Sequence, residues 1–86
     1  MDANITDEAV VEILRIALQA GEDFVPEDAM RLDEIPNFDS MARVRMVLEI
    51  ERVLDDRLSM EEIVAIESVG HIRDLLVAKG ALTHRA

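Results

Sequence analysis

Apolar residues recur at helical spacing in four separate stretches of this chain, and no stretch alternates as a half-buried strand would. In the first stretch, Val10, Ile13, Leu14 and Ala17 fall at i, i+3, i+4 and i+7, and Ile16 and Leu18 widen the face. Thr6 reads as the N-cap and Gly21 as the stop, with Asp7 and Glu8 at the positive end of the dipole, which predicts a helix over about 7–20. A second helix is predicted over 40–54. There Met46, Val47, Ile50, Val53 and Leu54 form one apolar stripe, assigned to the core, and Met41, Val44 and Leu48 form another. Ser59 followed by Glu62 reads as a capping box that opens a short third helix carrying Ile63, Val64 and Ile66. Ser68 caps a fourth, with Val69, Ile72, Leu75 and Leu76 on one face, Lys79 in the last turn and Gly80 as the stop.

Between the first two helices lie residues 21–39, with two prolines and many acids, across which no helical period survives. A connection this long inside a small domain is usually functional or disordered. Phe24, Val25, Leu32, Ile35 and Phe38 are spaced as pins to the core, which predicts an ordered loop. The expected fold is all-α: a four-helix bundle with a long first loop and a short third helix. It forms a single domain over 1–86, with its core over about 5–79 and a frayed tail at 80–86.

Composition narrows the function. Eighty-six residues suffice for one small domain. With two Phe and no Trp or Tyr, the core must be aliphatic and of limited stability. A net charge of −10 argues against nucleic acid as a partner and favours basic protein surfaces. The absence of cysteine removes disulfides, thiolate metal sites and a cysteine nucleophile, so any thiol chemistry needs an imported thiol. No apolar run is long enough to span a membrane and no signal peptide is visible, so a cytoplasmic location without membrane insertion is expected. His71 and His84 stand thirteen positions apart and share no acidic cluster, so neither a metal site nor a Ser-His-Asp arrangement follows from them. The acidic loop lacks the spacing of an EF-hand.

The most informative residues are Asp39-Ser40-Met41, at the junction of the long loop and the second helix. A serine there is accessible to another protein, and no partner base makes it a nucleophile. The ordinary reading of Ser40 is a helix N-cap; the functional one is a point of attachment. Met41, Val44 and Leu48 can be core, or a surface that meets a partner. Arg43 and Arg45 can be a solvated face, or contacts to an acidic partner.

Asp39-Ser40-Met41, with the acidic loop before it, the amphipathic helix after it, and the Glu61-Glu62 and Ser68-Val69 openings of the later helices, resembles the acyl carrier protein family over nearly the whole chain. The resemblance implies that Ser40 receives a 4′-phosphopantetheine arm from coenzyme A, placed by a Mg²⁺-dependent phosphopantetheinyl transferase. Acyl or related intermediates would then ride as thioesters, loaded by an acyl- or aminoacyl-activating ligase and passed to downstream synthase enzymes. It also implies that Asp39 takes part in recognition by the transferase, that the bundle is an acyl-carrier-type monomer, and that the chain is not an enzyme. The usual family signature is Asp-Ser-Leu, and fatty-acid carriers have a strongly acidic second helix. Here residues 40–54 hold three basic and two acidic residues, whereas 1–39 hold two basic and eleven acidic ones. With Phe38 before the Asp-Ser pair, the pattern looks more like the free-standing carriers of specialised pathways. The competing expectation is an unmodified helical adaptor that binds partners through the second helix.

Overall fold

A computed structural model describes residues 8–80. The expected Thr6 cap, Asp7 in the first turn, the tail beyond Gly80 and His84 lie outside the described residues. Among the described residues the chain is all-helical, with four α-helices and no strand: α1 Glu8–Leu18, α2 Ser40–Leu54, α3 Met60–Ala65 and α4 Val69–Ala78. A short 3₁₀ helix, Leu32–Glu34, sits within the first loop. α1 packs chiefly on α2 and also against α4.

α1 and α4 bury stripes that their periods dictate, whereas no residue of the short α3 is fully buried. α1 buries Val10, Ile13, Leu14 and Ala17; α4 buries Val69, Ile72 and Leu76. Leu58 and Ile66, which flank α3, complete the floor of the core. The capping box at α3 is present in both directions: Ser59 Oγ accepts from the Glu62 N–H and Glu62 accepts from the Ser59 N–H. Glu62 also pairs with Lys79 at 2.9 Å, tying α3 to the end of α4.

Several expectations need correction. α1 ends at Leu18, three residues before Gly21, and Gln19 follows it as the turning residue. Gln19 takes the left-handed conformation (φ 56°), and the next N–H, of Ala20, reaches back to the Arg15 carbonyl. This is a Schellman-type stop without glycine. In α2 the buried line is Ala42, Met46 and Ile50, with Val47 and Leu54 half-buried; Val53 is 37 % exposed. The Val53 side chain expected in the core thus turns outward, and Ala42, which lay outside the expected stripe, is buried. Ile66 is not part of α3 but its C-cap, and Lys79 follows α4 as its C-cap, before Gly80 at φ 83°.

The first loop is ordered by pins, though not all the expected ones. Leu32 and Ile35 are buried and Phe24 and Phe38 half-buried, but Val25 is exposed and its neighbour Pro26 is buried in its place. Arg15 secures the loop's beginning, donating to the carbonyls of Glu22 and Phe24 at 3.0–3.2 Å. Its middle is stitched to the junction between α3 and α4. Leu32 N–H donates to Glu67, Val69 N–H to Met30 and Gly70 N–H to Asp28, around an isolated antiparallel bridge between Arg31 and Ser68. The His71 N–H donates to the Ser68 hydroxyl, so the first three amides of α4, which no helix can satisfy internally, all have partners. Gly70 permits this closeness: a Cβ there would stand 3.1 Å from the Asp28 carbonyl oxygen. The Asp28 carboxylate pairs with Arg73 on α4.

Candidate functional site

The approach to α2 is a tight turn. The Phe38 N–H donates to the Ile35 carbonyl, which places Pro36 and Asn37 at the centre of a β-turn. Asn37 has φ 69°, the conformation that the second central position of a type II turn requires, and proline suits the first. The turn directs Phe38 toward the core, against which it packs half-buried, and leaves Asp39 and Ser40 exposed.

Asp39 and Ser40 are both residue types that cap helices, and the structure assigns the role to Asp39. Its backbone is extended, and its Oδ1 accepts from the Ala42 N–H at 2.8 Å. Ser40 is therefore the first residue of α2 and not its cap. Its side chain is exposed, and its hydroxyl has no hydrogen bond among the described residues. The serine that the sequence singled out is accessible, and its oxygen is not committed to holding the helix together.

Met41, Val44 and Leu48 lie along one line of α2, and all three are exposed, at 58 %, 50 % and 59 %. This line borders Ser40, which shares the helical face of Val44 at i+4. On α3, Met60 and Val64 are exposed as well, again at i and i+4. The apolar line on α2, beside an exposed hydroxyl, suits contact with another surface.

Arg43 and Arg45, two of the three arginines of α2, do something that the sequence did not disclose. Arg45 is half-buried and its Nε donates to the Ala17 carbonyl at 2.7 Å, placing a cation at the negative end of α1. Arg43 is also half-buried. Its guanidinium lies over the Phe38 ring, 5.7 Å from the centroid, and one nitrogen approaches the Ile66 carbonyl at 3.4 Å. Both thus have contacts within the chain. No residue-type pattern reports a side chain bound to a carbonyl 28 or 23 positions away.

Among the described residues no group of three or more His, Cys, Asp or Glu is arranged to hold a metal ion, and no helix is long and apolar enough to cross a membrane. His71 lies in the first turn of α4, exposed, with its Nδ1 accepting from the Glu67 N–H. An open depression of about 290 Å³, lined by Glu12, Arg15, Ile16, Ala20, Gly21 and Glu22, includes no residue of α2. Compared with known proteins, the chain matches no family model, no curated protein and no solved structure.

Proposed function

We propose that this chain is a carrier: Ser40 bears a 4′-phosphopantetheine arm, and acyl or related groups travel on the arm's thiol to partner enzymes. The observation that carries the reading is the division of labour at the start of α2. Asp39 caps the helix, so the adjacent Ser40 hydroxyl is exposed, without a hydrogen bond among the described residues, and available for modification. In the attachment reaction the Ser40 oxygen would bond to the phosphorus of coenzyme A that carries the pantetheine. The pyrophosphate link would break, adenosine 3′,5′-bisphosphate would leave, and the hydroxyl proton would pass to the transferase.

The remaining parts suit that role. The start of α2 offers the positive end of a helix dipole to the new phosphodiester. The exposed line Met41, Val44 and Leu48 offers an apolar surface to the transferase, to the activating ligase or to the downstream synthase enzymes. Methionine, with its flexible thioether, adapts to several such partners. Arg43 and Arg45 would serve recognition only while keeping their contacts to Ile66 and Ala17.

Incubation with coenzyme A, Mg²⁺ and a phosphopantetheinyl transferase of broad specificity tests the proposal. Intact-mass measurement should show the gain of one arm, and Ser40→Ala should abolish it. Because the cap belongs to Asp39, Ser40→Ala should fold as the wild type does, and loss of modification cannot then be ascribed to unfolding. No mass gain with several transferases would refute the carrier reading. The exposed stripes on α2 and α3 would then favour an adaptor that binds partners without modification.

A further inference from the structure

Seven arginines lie among the described residues, and four of them, Arg31, Arg52, Arg57 and Arg73, have a carboxylate within 4.0 Å. Arg15, Arg43 and Arg45 pair with none among those residues, in a chain of net charge −10. Arg15 spends its donors on three bonds to loop carbonyls, and Arg45 makes one short bond to Ala17. Arg43 is the least engaged. Its one hydrogen bond, to Ile66, is 3.4 Å long, beyond the usual range for N–H···O. A guanidinium has five N–H donors, so most of its capacity is unspent.

Its location gives that capacity a use. Arg43 is three residues after Ser40, on the next turn of α2, and side chains of a helix lean toward its N-terminus. The guanidinium rests on the ring of Phe38, two residues before Ser40, and so is held beside the segment that carries the hydroxyl. The neighbouring carboxylate, Asp39, is turned to the Ala42 N–H. A phosphate on Ser40 would meet repulsion from Asp39 and from the acidic loop, and Arg43 is the cation one turn away that no carboxylate among the described residues neutralises. A planar fork of N–H groups matches two phosphate oxygens in a way that a lysine does not.

We infer that Arg43 is the positioning residue for a phosphate ester carried on Ser40: its guanidinium, steadied by Phe38, binds the phosphate oxygens and fixes the direction in which the attached group leaves the helix. This rests on the carrier reading for the identity of the arm, but the phosphate contact can be tested apart from it. Phosphoserine is placed at position 40 during translation, which needs no transferase. The phosphorus resonance should titrate at lower pH in the wild type than in Arg43→Gln, by about half a pH unit for an exposed pair, with Arg43→Lys between them. Equal midpoints would overturn the inference. The Arg43 Nε–H resonance of the wild-type chain supplies a second readout that depends on no variant folding: it should move when Ser40 is phosphorylated, and a resonance that stays in place overturns the assignment. If the transferase does load the chain, the same resonance should move in the arm-bearing protein; movement with the monoester alone would overturn the role claimed for the carried arm. If the transferase fails while the phosphoserine arm responds, the carrier reading is lost and Arg43 stands as a phosphate-holding residue.

Discussion

Replacing Asp39 by alanine tests the arrangement on which the rest is built. The substitution removes the 2.8 Å bond from the Ala42 N–H and leaves that amide to solvent. Loss of an N-cap side chain costs about 1 kcal/mol, within a range of about 0.5–2. Part of this is the attraction between a carboxylate and the helix dipole, about 0.3–1 kcal/mol at an exposed site. An opposing effect is relief of repulsion, because Asp39 is one of eleven acidic residues in 1–39. That relief is small for exposed charges farther apart than the screening length of about 8 Å at physiological salt. The net expectation is a destabilisation of about 1 kcal/mol, equivalent to a fall in Tm of about 4–8 °C for a domain this small. Asp39→Asn retains an acceptor and should lose at most about 0.5 kcal/mol; Ser40→Ala should change stability by less than about 0.5 kcal/mol. Urea titrations followed by far-ultraviolet circular dichroism measure all three, and an unchanged slope confirms that the midpoints are comparable. The reverse result, with Ser40→Ala costly and Asp39→Ala neutral, would refute the reasoning, because the serine hydroxyl would then belong to the helix. Asp39→Asn also separates two roles: a variant that folds normally but loads slowly would show that the transferase reads the carboxylate.

Two further outcomes follow from side chains away from the junction. Arg45→Met removes a charge-assisted bond to the end of α1 and should lower stability by about 1–2 kcal/mol, read as a reduced urea midpoint; an unmoved midpoint would show that the bond contributes nothing. The Glu62 carboxyl is held below its ordinary value of 4.5, first by the Ser59 N–H and next by Lys79, so its contribution is complete above that pH and is lost as pH falls through the lower folded value. The stability gap between wild type and Glu62→Gln should therefore narrow below about pH 4.5, and a gap that stayed constant down to pH 2 would contradict that linkage.

The helices were legible because their signals are local. The spacing of Val10, Ile13, Leu14 and Ala17, and the Ser59–Glu62 reciprocity, need no knowledge of distant residues. The limits of α2 were also readable, but its inward face was not. Two apolar stripes competed, and the burial of Ala42 with the exposure of Val53 is set by tertiary packing, which local spacing does not report. The stop of α1 escaped notice because glutamine seldom takes a positive φ and a glycine stood two residues on. At the candidate site, Ser40 and the exposed line beside it were recognisable as positions. Two neighbouring residues of similar capping power, however, cannot be ranked by type, and Arg43 and Arg45 found carbonyls that only the folded chain brings near.

The stitching of residues 28–32 to 67–70 has a bearing on how this domain can be cut. The stretch that leads into Ser40 takes its shape from hydrogen bonds with residues 67–70, far along the polypeptide, and a Cβ at Gly70 would press on the Asp28 carbonyl oxygen at 3.1 Å. A version trimmed after α3 would retain the serine yet forfeit its mounting. The minimal unit able to present that residue therefore reaches at least through α4, however remote the last helix looks on a linear map.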